Sequence, residues 1–260
     1  MKPLRYITFA LLFVSLSAKA QNNLFQEKQY IKNTDTLKYR VLFPENFSEE
    51  KQYPVVLFLH GAGERGSDNT SQLAHGSKLF LSQTNQGAFP AIVIFPQCPK
   101  TDYWANVAID RSVKPLDIKF PANHPPTKAL GLVMEMLSEY LTKPYANDQK
   151  VYIGGLSMGG MGTFEMLYRK PQTFAAAFAI CGGGNPETVA AYANNTELWI
   201  FHGAKDDVVD PQLSLNMASA YLKAGGTPNV TIYAADNHNS WDSAFAEPQL
   251  LTWLFSKSKQ

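Results

Sequence analysis

The sequence predicts an α/β fold, a mostly parallel central sheet flanked by helices on both faces. Runs such as Val55-Val56-Leu57-Phe58-Leu59 are apolar at every residue rather than at alternate ones. Strands covered on both faces have that pattern. These runs alternate with stretches of helical period, the rhythm of strand–helix–strand units. The chain of 260 residues is long enough for one large domain with its own core and too short for two of typical size.

The first twenty residues read as a removable leader. Lys2 and Arg5 make a basic start, Tyr6 to Leu16 is mostly apolar, and Ala18-Lys19-Ala20 is a small-x-small cleavage site. The apolar run is shorter than the ~20 residues a bilayer span requires, and no cysteine follows the cleavage point to carry a lipid. The expectation is an exported protein, periplasmic or secreted, with residues 1–20 as signal peptide and 21–260 as a single domain. Removing Lys2, Arg5 and Lys19 takes the net charge from +1 to −2. That balance gives no argument for nucleic acid or an anionic membrane surface as partner.

Seven strands are expected in order: Thr36–Phe43, Val55–His60, Ala91–Phe95, Val151–Gly154, Phe174–Ile180, Leu198–His202 and Val230–Ala234. Four helices fall among them, at Thr127–Leu141, Gly160–Tyr168, Ser214–Ala224 and Pro248–Lys257. The first is entered through Pro125-Pro126-Thr127. Between Gln97 and Pro126 the chain lacks periodicity and carries Tyr103, Trp104, Asp110 and Arg111, and a loop of that length is usually functional. The connection from Cys181 to Leu198 is too short for a large lid domain, so the site is expected to be an open cleft. Cys98 and Cys181 each follow a strand and could pair in an oxidising compartment, although two buried free thiols are the blander reading. The five histidines are scattered, and no metal-binding spacing occurs. Neither a metal nor an organic cofactor is expected.

Chemistry concentrates in Gly155-Leu156-Ser157-Met158-Gly159. An apolar strand leads into it and a helix leaves it, the setting of a nucleophile elbow, where a tight turn pushes the serine hydroxyl out of the sheet. A serine needs a base within hydrogen-bond reach, itself held by a third group. His202-Gly203-Ala204-Lys205-Asp206-Asp207 supplies the acid just past a strand. Asp206 is the first choice and Asp207 the second. The base is His238, in Asp236-Asn237-His238-Asn239-Ser240-Trp241 after the last strand. His202, ending a buried strand, reads as a structural support for the Asp206 loop. The Gly-rich loop His60-Gly61-Ala62-Gly63 follows another buried strand and lets backbone N–H groups reach a substrate oxygen. The amides of Ala62 and Met158 are assigned to the oxyanion hole, with Gly63 a weaker choice, and His60 is read as fixing the loop.

The order Ser157, Asp206, His238 is that of the α/β-hydrolases. Four motifs together resemble the exported esterases of that superfamily: His60-Gly61-Ala62-Gly63-Glu64-Arg65-Gly66-Ser67-Asp68-Asn69; Pro96-Gln97-Cys98-Pro99 with Trp104; Gly155 to Gly160; and His238-Asn239-Ser240-Trp241. Within it the chain is similar to the dienelactone-hydrolase and phospholipase/carboxylesterase-like group and to feruloyl and acetylxylan esterases. Asp210 departs from the proline usual after the acid, which alters a loop entry and no catalytic group. The resemblance implies a serine esterase without cofactor, acting on a small-molecule or polysaccharide-linked ester, with Trp104 and Trp241 as substrate-contacting aromatics. The competing readings are a serine peptidase of prolyl-oligopeptidase type and a non-catalytic binding protein on the same fold.

Overall fold

A computed structural model describes residues 24–259; the signal-peptide reading of residues 1–20 lies outside them. Among the described residues, ten strands and seven α-helices follow one another. They are β1 (Gln26–Lys32), β2 (Asp35–Leu42), β3 (Tyr53–Leu59), α1 (Ser77–Leu81), α2 (Gln83–Ala88), β4 (Ile92–Pro96), β5 (Ala108–Asp110) and β6 (Asp117–Lys119). Then come α3 (Lys128–Tyr140), β7 (Ala146–Leu156), α4 (Met158–Arg169), β8 (Ala176–Ile180), β9 (Glu197–Gly203), α5 (Pro211–Lys223), β10 (Asn229–Tyr233), α6 (Trp241–Phe245) and α7 (Leu250–Phe255). Eight strands form one sheet in the order β1-β2-β4-β3-β7-β8-β9-β10. The β1/β2 and β2/β4 pairs are antiparallel and every pair from β4 to β10 is parallel. This is the α/β-hydrolase fold.

The continuous apolar runs are explained by the two cores they serve. In β3, Val55, Leu57 and Leu59 face one core and Val56 and Phe58 the other, and all five are fully buried. Helices α3, α4 and α5 close the first face through Leu130, Val133, Leu137, Leu167, Met217 and Tyr221. Helices α1, α6 and α7 close the second with Phe80, Leu81, Ala244, Leu250 and Leu254. Each buried Leu, Val, Met or Phe among them contributes ~1.5–3 kcal/mol of burial. Thr127 caps α3 by accepting from the Leu130 amide, and Asp210 caps α5 by accepting from the Gln212 amide ahead of Pro211. Asp210, the residue that departs from the esterase pattern, thus still starts its helix.

All seven expected strands and four expected helices are present, with ends shifted by a few residues. The unexpected elements carry little apolar pattern. β1 reads Gln-Glu-Lys-Gln-Tyr-Ile-Lys and is almost wholly exposed, an edge strand recruited by antiparallel pairing with β2. The β5/β6 hairpin sits within the long aperiodic segment and is tied to the loop after β9, where the Leu116 amide donates to the Val208 carbonyl. Among the described residues Cys98 and Cys181 are free and buried, and no helix is long and apolar enough to cross a membrane. Only one six-residue 3-10 turn, Pro186–Ala191, occupies the connection between β8 and β9, which leaves that side of the site without a large lid.

Candidate active site

The functional side chains gather at the carboxyl ends of the parallel strands. β7 turns into α4 at Ser157, whose backbone has φ 52° and ψ −117°. A non-glycine residue held there stores ~1–3 kcal/mol of strain, and surrounding structure must hold it. The Ser157 N–H donates to the Ile180 carbonyl at 2.8 Å, and the Ser157 carbonyl accepts from the Met161 N–H at 3.0 Å. Space explains the flanking glycines. A Cβ on Gly155 would lie 2.3 Å from the Gly159 carbonyl oxygen, and one on Gly159 would lie 1.9 Å from that of Leu59. The turn therefore closes directly against the end of β3.

That contact sets the glycine-rich loop beside the serine. A Cβ on Gly61 would meet the Leu156 side chain at 2.8 Å, so the loop that carries Ala62 closes against the last residue of β7, just ahead of α4 at Met158. The first amides of a helix have no intrahelical partner and favour negative charge. Bonds from behind hold the loop. His60 Nδ1 bonds the Gly61 carbonyl at 2.6 Å, the Cys98 N–H donates to His60 Nε2 at 3.0 Å, and Trp104 Nε1 donates to the His60 carbonyl at 3.1 Å. Arg65 donates to the carbonyls of Ala62, Lys100 and Asp102. Burial pushes the His60 imidazole down to about 4, against the Gly61 carbonyl bond that favours its proton.

Asp206 enters from the turn after β9 with a side chain that is 0 % exposed. Its Oδ1 accepts from the amides of Val208 and Val209, both at 2.9 Å. Its Oδ2 lies 2.8 Å from His238 Nδ1 and 3.1 Å from His202 Nε2. Burial works against the carboxylate, but the bonds from His202, His238 and the Val209 amide outweigh it and hold the group well below the usual carboxylate range. Asp207 is exposed, so of the two neighbouring acids only Asp206 meets the imidazole. His238 Nε2 stands 3.0 Å from Ser157 Oγ. A serine hydroxyl, an imidazole and a buried carboxylate thus form one hydrogen-bonded line.

Trp241, at the start of α6, packs its ring edge-on to His238 at 5.5 Å between centroids and tilted against His75 at 5.2 Å. His75 in turn lies 3.7 Å from the Glu64 carboxylate. The sequence gives neither residue a role: Glu64 stands within the Gly-rich motif, where backbone amides draw the attention, and His75 lies in a segment without period or motif. Trp104 corrects an expectation. It is 0 % exposed, with its Cβ against Gly162 and its indole N–H on the His60 carbonyl, so it holds the Gly-rich loop and does not touch substrate from this position. Cys181, with φ 42° at the end of β8, also escaped notice as a neighbour of the site. Its sulfur and ligand atoms of Asp206 and His238 lie within 4.8 Å of one another. Burial pushes its thiol above the ordinary range, so it offers no thiolate to compete with Ser157. A cation held by these three groups would have to displace the bonds that Asp206 and His238 already make.

The family of the chain follows from residues 46–249, which match the model of the phospholipase/carboxylesterase family. The chain belongs to that family. Among its relatives is the lysophospholipase-like protein 1 of Mus musculus, 26 % identical over 161 residues, which are 59 % of this chain and 66 % of the mouse protein. A solved thermostable esterase superposes with a TM-score of 0.82 and 31 % identity over 92 % of this chain and 64 % of its own. In both cases the chain spans slightly less than two thirds of the relative. A ferulic acid esterase from Anaeromyces mucronatus, solved in complex with ferulic acid, shares the fold at a TM-score of 0.64 and 16 % identity, over 88 % of this chain and 89 % of its own.

Proposed function

We propose that this family member is an exported serine carboxylic-ester hydrolase working through an acyl-enzyme. The observation that carries the reading is the Ser157–His238–Asp206 line, with 3.0 Å and 2.8 Å between successive groups. His238 takes the Ser157 proton as Oγ attacks the ester carbonyl, and Asp206 orients the imidazole and stabilises the imidazolium that forms. The amides of Ala62 and Met158 receive the oxyanion. The alcohol leaves with the proton from His238. Water activated by the same imidazole then frees the acid and restores the serine. Because His238 must be neutral to act, activity falls as the solution is acidified.

The substrate we favour is an acyl group on a small alcohol or on a polysaccharide, such as an acetyl or feruloyl ester. The short β8–β9 connection and the half-buried Trp241 beside His238 support a bulky alcohol side reached from solvent. The family match and the ferulic acid esterase of similar fold support the same class. The test is hydrolysis of 4-nitrophenyl acetate, a longer 4-nitrophenyl ester, methyl ferulate, acetylated xylan and a peptide anilide by the protein and its Ser157→Ala variant. Ester turnover that drops ~10⁴-fold in the variant is expected. Turnover of the anilide at a comparable kcat/KM would replace the esterase with a peptidase, and Ser157-independent turnover would end the assignment.

A further inference from the structure

The loop after β3 carries two acids in different settings. Asp68 uses its oxygens inside the loop, accepting from the Ser71 hydroxyl, the amides of Ser71 and Thr70, and Gln97 Nε2. These bonds, those of Ser71 first, hold it well below the usual carboxylate range. The carboxylate of Glu64 makes no hydrogen bond among the described residues. Its Oε2 lies 2.9 Å from where a Cβ on Gly61 would stand, and its Oε1 is 3.7 Å from His75 Nε2, too far for a bond. Arg65, next in the chain, does not reach it. That guanidinium is turned to the carbonyls of Ala62, Lys100 and Asp102 and lies over the Tyr103 ring at 5.3 Å. Gln97 Nε2 pins the Glu64 backbone by donating to its carbonyl at 3.2 Å, and the Glu64 side chain is only 14 % exposed. A carboxylate that is pre-positioned, largely enclosed and unbonded keeps its acceptor capacity for a ligand.

Glu64 belongs to a rim along one side of Ser157. The rim runs from Gly61 through Glu64 to His75, across the Trp241 indole, and on to His238, whose Nε2 meets Ser157 Oγ. The leaving oxygen of an ester has to come within hydrogen-bond reach of the imidazole that protonates it. The alcohol half of the substrate therefore lies against the ring packed on His238 and the groups beyond it. We propose that Trp241, His75 and Glu64 form the subsite for that alcohol half, and that the alcohol is polyhydroxylated, as a sugar unit is. Glu64 is its specificity-determining residue. Neighbouring hydroxyls donate to the Glu64 carboxylate and bond the His75 imidazole, while the indole covers the apolar face of the sugar ring. Hydrogen bonds to a carboxylate are the stronger kind, so Glu64 carries most of the preference. A cationic alcohol is the other chemistry that a carboxylate and an indole recognise, and it needs charge and ring at one point. Here the His75 imidazole stands between them. This subsite rests on the proposed esterase function.

Three acetyl esters that differ only in the alcohol test it on the full chain: acetylated xylobiose, 4-nitrophenyl acetate and acetylcholine. Glu64→Gln, which keeps the shape beside Gly61 and removes the charge, should lower kcat/KM for acetylated xylobiose ~10- to 100-fold, through KM. Turnover of 4-nitrophenyl acetate, whose alcohol offers no further hydroxyl, should stay within about twofold. His75→Ala should act in the same direction by less, and it carries the test if Glu64→Gln does not fold. An equal loss on both acetates would overturn the proposal, since Glu64 would then serve the oxyanion loop and not the alcohol. So would unchanged turnover of the sugar ester, or a loss confined to acetylcholine. Binding separates the subsite from the esterase function. Xylobiose titrated into the Ser157→Ala chain and followed by NMR should bind with a Kd of about 1–10 mM, weakened ~10-fold by adding Glu64→Gln. No saturable binding there would also overturn the proposal. If the unsubstituted chain turns over no ester, the esterase function fails, and the xylobiose titration still decides whether the rim takes a sugar.

Discussion

Two histidines end buried strands on either side of Ser157, and their surroundings give them different work. His60, after β3, receives the Cys98 N–H on Nε2, so that nitrogen is bare and the ring is neutral, with its one proton on Nδ1 toward the Gly61 carbonyl. His202, on β9, turns Nε2 to the Asp206 carboxylate and the Val209 carbonyl, and Nδ1 to the Ser214 hydroxyl. The first ring is a passive brace for the loop that presents Ala62. The second is part of the charge arrangement around Asp206. Both occur in a His-Gly pair at the end of an apolar run, so residue type and local pattern are the same. What differs is the kind of atom that tertiary structure sets opposite each nitrogen.

The largest effect should come from the acid side. Asp206→Asn is expected to lower kcat by ~10⁴-fold, since the imidazole loses its orienting carboxylate. Asp207→Asn should leave kcat unchanged. Steady-state kinetics on the two variants would reverse the assignment if Asp207 proved the sensitive one.

On the brace side the damage should appear first as stability. Trp104→Ala removes a fully buried indole from above His60 and should cost ~3–5 kcal/mol in denaturant unfolding. A loss below about 1 kcal/mol would show that the loop does not depend on that packing. The state of His60 can be read through pH. Its folded imidazole is pushed down to about 4, whereas an unfolded chain takes the proton near ~6.5. The unfolded state therefore binds more protons between those values, and stability complete above pH ~6.5 is lost as pH falls toward 4, by about 3 kcal/mol in all. His60→Gln should remove that slope. An unchanged pH dependence of unfolding in His60→Gln would mean that the ring is not held neutral.

The smallest effect should be at the rim. Trp241→Ala, which removes a ring packed on His238 and His75, should raise KM for methyl ferulate up to ~10-fold, the worth of one aromatic contact. Its kcat for 4-nitrophenyl acetate should change little. Equal losses on both substrates would place Trp241 among the groups that support His238 rather than those that meet the acyl or alcohol part.

Much of this was legible in the chain, for reasons that differ from element to element. The parallel strands β3, β4, β7, β8 and β9 announce themselves because both of their faces need apolar residues. The elbow shows because two positions tolerate no Cβ, and the order of Ser157, Asp206 and His238 is fixed by where β7, β9 and β10 end. β1 was hidden because an exposed edge strand gains from backbone pairing, which leaves no trace in side-chain pattern. The β5/β6 hairpin was hidden because its strands are three residues each. The family resemblance assigns Trp104 to the substrate, but an aromatic in a long loop gives no sign of which way it faces, and three-dimensional packing turns it inward against His60.

By itself the sequence determined the α/β layers, the strand-end positions of the chemistry and the residue types available for it. Those follow from local constraints: apolar period, turn space and side-chain chemistry act over a few neighbouring residues. Only the tertiary structure decided that Asp206 rather than Asp207 meets His238, that Trp104 braces a loop, and that His60 and His202 sit among opposite partners. Such choices depend on which donor or acceptor a distant segment delivers within about 3 Å, and no local pattern records that.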